Sequence, residues 1–255
     1  MITSYLKVVI ALGCLLVASY QDYKTREIED YVWIVLGIIG GVLTGIELFL
    51  IGSITLVIVV IISFLIASGL GLILYKFGLV GGADTKALMT LGIVLPYYPL
   101  IDIKPIFPVY PTFVISIFEN SVLLSASMVL YYFVKNLLLV MRGEKLFSDE
   151  IPTIRKLILL LTCSKYDVYS TDWTKVFPIE FVDFSVNPPK KVYSFIHDVS
   201  VDVDAKSLIR GYEKGYLERR IWATAGLPMI IFFTLGLIVS LLLGDLVLAT
   251  ISALI

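Results

Sequence analysis

The chain has 255 residues, 58% of them apolar or aromatic and 16% charged, with a mean hydropathy of +0.95. Those proportions exclude an ordinary soluble domain, and 20 Lys plus Arg against 21 Asp plus Glu leave no basic field to draw in nucleic acid. Cys14 and Cys163 are too far apart for a CxxC zinc site, and His197, the single histidine, lies in a polar region, so no His-based metal site or Ser-His-Asp triad fits within a membrane.

Acid/base chemistry therefore falls to carboxylates, Lys or Tyr. A hydrocarbon layer of about 30 Å needs about 20 apolar residues in a helix. Tracts of this kind recur at 3–20, 32–50, 54–75, 85–101, 112–141 and 228–254, which predicts an all-α integral membrane protein with six transmembrane helices. The first tract has no basic flank before it and carries Lys7 inside it, so it reads as a retained helix rather than a signal peptide. The fourth is short and runs into Pro96 and Pro99, and the fifth is longer than a crossing needs.

Between the fifth and sixth tracts, residues 142–227 carry mixed charges, prolines and aromatics, and read as a small mixed α/β insert. The chain thus divides into a membrane domain at 1–141, the insert at 142–227 and a last transmembrane helix at 228–255. Val199, Val201 and Val203 alternate with polar residues as in a half-buried strand. Leu157 to Leu161 suits a buried strand or a short helix, and Ser207 to Arg220 suits a helix that starts near Asp204.

Lys and Arg stay with cytoplasmic loops. Lys24 and Arg26 follow the first tract, Lys76 and Lys86 flank the third loop, and thirteen basic residues lie in 142–227, whereas only Lys7 and Lys104 fall on the other side. The expected topology is a multi-pass cell-membrane protein with both termini outside and 142–227 in the cytoplasm.

Carboxylates at membrane depth are costly unless paired, solvated or protonated, and are candidates for function. Glu47 and Asp245 read as solvated groups near outer helix ends, and Glu119 as a hydrogen-bonded or snorkelling side chain. Asp22 and Asp84 differ, because one leaves the first tract and the other enters the fourth at the same expected membrane face. Two such groups brought together cannot both ionise cheaply, which yields one acid and one base. Gly81, Gly82 and Ala83 before Asp84 let a backbone or a substrate strand approach closely. An N-cap Asp in an ordinary loop is the competing reading. Lys86 steadies an anion or, as is commoner, meets lipid phosphate.

The run Asp22-Tyr23-Lys24-Thr25-Arg26-Glu27-Ile28, with Gly81-Gly82-Ala83-Asp84-Thr85-Lys86, resembles the two aspartate motifs of the type IV prepilin peptidase family, a group of GxGD aspartyl proteases. The six-tract layout with an insert before the last helix is similar to its archaeal preflagellin (prearchaellin) peptidase branch. The resemblance implies a membrane aspartyl endopeptidase with Asp22 and Asp84 as catalytic residues and no metal or organic cofactor. It also implies archaellin or pilin-like precursors as partners, cut on the cytoplasmic side of a hydrophobic stretch. The motif has glycine where this chain has Ala83. Bacterial members often add a cysteine-rich zinc region and N-methyltransferase activity; without CxxC, peptidase activity alone is expected.

Glu27, Glu29 and Asp30 are weaker candidates, for attracting a basic leader, with loop solvation as their ordinary role. The rival class is a proton-coupled transporter or channel component, which calls for acidic residues deep in several tracts and for interrupted helices. A scaffold that binds partners through 142–227 is the third reading.

Overall fold

The computed structural model describes residues 1–147, 151–194, 204–225 and 228–254. In chain order its elements are α1 (Ile2–Thr25), α2 (Asp30–Ile51), α3 (Ile54–Lys76), α4 (Gly82–Val94), α5 (Phe113–Ser125), α6 (Ser127–Met141) and α7 (Thr153–Thr162), then β1 (Ser164–Asp167), β2 (Val176–Pro178), β3 (Glu180–Asp183) and β4 (Lys190–Tyr193), then α8 (Ala205–Glu213), β5 (Arg220–Ala225), α9 (Met229–Leu242) and α10 (Leu246–Leu254). The fold is mostly helical with a small sheet region.

Among the described residues, Ile2–Thr25, Asp30–Ile51, Ile54–Lys76 and Phe113–Met141 are long and apolar enough to cross a membrane. A fifth span results if α9 and α10, bent by 57°, count as one. The fourth tract forms only the 13-residue α4, which ends before Leu95 because Pro96 offers no N–H and disfavours helix in the residue before it. The sixth tract is broken at Gly244, whose φ of +93° is natural for glycine and whose missing Cβ makes room for the Phe107 carbonyl oxygen.

The chain forms two compact units, Met1–Ser125 with Pro228–Ile255, and Ala126–Leu227. In the first unit, α1 buries Ser4, Lys7, Ala11, Leu15 and Ala18, one stripe at helical spacing. On α3 the buried residues are Ser63, Ala67 and Gly71, a small residue every fourth position, and α4 packs against them. A Cβ on Gly92 of α4 would lie 2.7 Å from Ala67 Cβ and 3.1 Å from the Ser63 carbonyl oxygen, so the two backbones meet at glycine's own radius.

Two carboxylates expected to be solvated are buried instead. Glu47 is 3% exposed, pairs with Lys7 and accepts a 2.5 Å hydrogen bond from Ser4 Oγ. The reason is that Lys7 belongs to the inward stripe of α1 and brings its own counter-ion requirement into the bundle. Asp245 is fully buried, its Oδ1 accepting from the Leu248 N–H at 2.9 Å to cap α10. Asn120 braces the same break by donating to Ser240 Oγ and the Gly244 carbonyl, both at 2.8 Å.

The second unit holds an antiparallel sheet of order β1-β5-β2 and an antiparallel pair β3-β4, with registers such as Tyr166 opposite Ile221 and Phe181 opposite Val192. Leu146, Ile151, Leu159, Cys163, Ile179 and Trp222 form one core, with Phe147 stacked on Trp222. The run Leu157 to Leu161 is helical. The helix expected at 207–220 is the shorter α8, capped by Asp204, which accepts from the Ser207 N–H at 2.7 Å. Gly215 takes φ +77° and Arg220 begins a strand, so the helix stops early. The strand expected at Val199 to Val203 lies outside the described residues.

Candidate active site

Asp22 lies in the last turn of α1, four residues past Ala18, and so extends the stripe that α1 turns inward. Its side chain is 13% exposed, with Arg26 Nη1 3.8 Å from Oδ1. Arg26 closes the helix by donating its backbone N–H to the Asp22 carbonyl at 3.2 Å. Its φ of 60° makes it the one non-glycine residue with positive φ among those described. Gln21, beside it, organises the loop that follows: its Oε1 accepts from the Glu29 N–H at 3.2 Å and its Nε2 donates to the Tyr31 hydroxyl at 3.0 Å.

Asp84 is the third residue of α4. Its Oδ2 accepts a 2.8 Å hydrogen bond from the Gly81 N–H, the return half of a capping box. Thr85, next along, donates to the Gly71 carbonyl at 3.2 Å and fastens this turn to α3. A Cβ on Gly81 would stand 3.3 Å from Asp84 Oδ2, so glycine keeps the carboxyl's surroundings open. Ala83 occupies a helical position, where a methyl group is at home; the tight turn before the helix is made at Gly78, with φ +68°. The glycine that the motif asks for is therefore not needed here for backbone conformation.

Burial pushes the Asp84 carboxyl up to about 6; the Gly81 N–H pulls the other way, and the charge of Asp22 adds to the rise. The C-terminal end of α1 and the N-terminal end of α4 thus bring the two carboxyl groups within electrostatic reach. Such a pair, holding one proton, supplies a base for water and an acid for a carbonyl oxygen.

Lys86 is engaged by protein rather than left for lipid phosphate, its Nζ 2.5 Å from Asp30 Oδ1. Lys24 is exposed and lies over the Tyr20 ring at 5.7 Å. Glu27 and Glu29 are exposed, and Asp30 is committed to Lys86. Gly81 and Gly82 are exposed at the helix start. Sequence reasoning missed Gln21 and Thr85, although each directly precedes or follows an aspartate on its helix.

Residues 9–133 match the profile described as the Type IV leader peptidase family, and residues 155–246 match Archaeal Peptidase A24 C-terminus Type II. A preflagellin peptidase of Methanococcus voltae is 30% identical over 247 residues, which cover 95% of this chain and 97% of the relative. The chain belongs to the type IV leader peptidase family. A preflagellin peptidase of Methanocaldococcus jannaschii is 35% identical over 140 residues, covering 53% of this chain and 58% of the relative. One from Methanococcus maripaludis is 26% identical over 247 residues, covering 92% and 93%. In this leader peptidase both Asp22 and Asp84 fall inside the 9–133 match.

Proposed function

We propose that this leader peptidase is an aspartyl endopeptidase, with Asp22 and Asp84 as its catalytic pair, that removes the short N-terminal leader from archaellin or type IV pilin-like precursors. The observation that carries the reading is the placement of two largely buried carboxyls, one in the last turn of α1 and one in the first turn of α4, with the charge of Asp22 among the influences on Asp84. The names of the relatives support the substrate class.

In this mechanism the pair carries one proton, and burial favours keeping it on Asp84. The ionised partner takes a proton from water, whose oxygen bonds to the scissile carbonyl carbon, while the protonated carboxyl gives its proton to the carbonyl oxygen. Collapse of the diol breaks the C–N bond: the leaving amine takes up the proton that water released, and one diol hydroxyl returns its proton to the carboxylate that had donated, which restores the starting pair. Gly81 and Gly82 leave room for an extended substrate strand beside Asp84. Arg26 Nη1 sits 3.8 Å from Asp22 Oδ1 at the end of α1.

On this reading the chain crosses the membrane six times, with residues 85–101 as a short fourth crossing that Asp84 precedes at the cytoplasmic face. Both termini face outward and 142–227 is cytoplasmic, in keeping with the placement of Lys and Arg. The precursor's hydrophobic segment packs among helices while its leader stays at the cytoplasmic face, where Glu27 and Glu29 attract basic residues. No methyltransferase activity accompanies the cleavage.

The transporter reading gains something from the buried Glu47 and Asp245 and from the break between α9 and α10. Membership in a peptidase family across nearly the whole chain weighs more, and Glu47 has a structural partner in Lys7.

Co-expression with an archaellin precursor tests the proposal by the mobility shift of leader removal. Asp22→Asn and Asp84→Asn, each alone, abolish the shift while the protein accumulates, and Glu119→Gln retains it. Full cleavage by either aspartate variant rejects the pair.

A further inference from the structure

Helix α7 is apolar on two opposite faces. At about 100° per residue, Ile154, Leu157, Ile158 and Leu161 fall within one arc about 100° wide, and Leu159, Leu160 and the stem of Lys156 point the other way. The second face is packed: Leu159 is fully buried, and Leu160 rests on the Trp222 core. Among the described residues nothing covers the first face, where Ile154 is 76%, Leu157 57% and Ile158 42% exposed. A helix that borders water carries polar residues there. An exposed row of large aliphatics marks a contact surface.

The neighbourhood of α7 says what covers it. The helix packs on α6, which is the C-terminal part of the membrane-length helix Phe113–Met141. Asn136 of α6 donates to the carbonyls of Leu160 and Cys163 at 2.9 and 2.7 Å, so α7 is anchored near the end of that span. α6 itself exposes Leu137, Leu138, Val140 and Met141. Arg142 and Lys145, just past the end of that helix, and Arg155 on α7 are exposed, and cations next to a span end suit lipid phosphates.

We propose that α7 lies along the membrane surface, with Ile154, Leu157 and Ile158 sunk among lipid chains and Arg155 at the headgroups of anionic lipid. The helix thereby couples the sheet unit to the bilayer next to the span from which that unit emerges. The inference stands apart from the peptidase reading, because it concerns lipid contact and is measured without substrate.

The test uses the full chain in vesicles of phosphatidylcholine and phosphatidylglycerol. Cys14 is replaced by alanine; Cys163 is buried, with its thiol pushed up to about 11 by burial, and stays unlabelled. A nitroxide is then attached in turn at Leu157→Cys, Ile154→Cys and, as a water-facing comparison on α8, Glu213→Cys. The expected result is a several-fold higher ratio of oxygen to nickel-chelate collisions at 154 and 157 than at 213. A water-like ratio at both α7 positions overturns the proposal. So does exclusion of both reagents, which means that protein, either a second copy or a precursor, covers the face instead.

Discussion

Lys86 Nζ lies 2.5 Å from Asp30 Oδ1 and ties the second turn of the helix that bears Asp84 to the first turn of α2. Asp30 in turn follows the loop that Gln21 holds beside Asp22. The pair is well exposed, so its loss changes stability by less than about 1 kcal/mol. On the proposed mechanism its role is to position Asp84. Lys86→Met is expected to slow precursor cleavage several-fold through kcat with little change in melting temperature, and Lys86→Arg to restore most of the rate.

The raised carboxyl of Asp84 sets a pH dependence. Native Asp84 titrates near 6, above the usual carboxylate value of 3.8, so the group favours the folded state at low pH, and that contribution is lost as pH rises through about 6. Asp84→Asn is expected to remove this slope and to raise stability at pH 8 by on the order of 2 kcal/mol. Thermal unfolding in detergent at pH 5 and pH 8 measures both. For cleavage, the singly protonated pair is depleted on the same alkaline side, so kcat/KM falls with an apparent pKa close to 6.

Lys7 and Glu47 are paired at 1% and 3% exposure inside the first unit. Removing one partner strands the other charge, which costs roughly 3–5 kcal/mol, whereas replacing both with apolar residues of similar volume is close to neutral. Lys7→Met or Glu47→Leu alone should therefore lower the melting temperature sharply. The double variant should recover most of the loss and retain cleavage, because this pair lies outside the proposed site.

Gly92 lets α4 sit against α3 with no side chain between them. Gly92→Val forces the helices apart at Ala67 and the Ser63 carbonyl, and overpacking of this kind costs about 1–3 kcal/mol. The same displacement moves the N-terminal turn of α4. Cleavage is expected to drop more than stability does, with the amount of folded protein and the rate measured side by side.

The helices of membrane length are readable from long apolar runs, because such runs have few other solutions. Asp22 is readable because it directly follows an apolar tract at the face where Lys24 and Arg26 gather, and a carboxylate there asks for an explanation. That it continues the buried stripe Ser4, Lys7, Ala11, Leu15, Ala18 is a fact of the fold. Glu47 and Asp245 mislead because hydropathy locates a residue along a helix but not around it. The partners, Lys7 on another helix and the capped turn of α10, are tertiary facts. The break at Gly244 is hidden for the same reason, since it depends on the carbonyl of Phe107 arriving from another segment. Ala83 looks like a departure from the motif in sequence and is an ordinary helical residue in the fold.

Whether Asp22 and Asp84 act on each other as a pair is read from the titration of Asp84 itself. In the protein labelled with carbon-13 aspartate, the Asp84 carboxyl resonance is followed against pH in the native chain and in Asp22→Asn, with Asp84→Asn assigning the signal. The expected midpoint is near 6 and moves to lower pH when the neighbouring charge is removed. An Asp84 midpoint unchanged by Asp22→Asn contradicts the pairing.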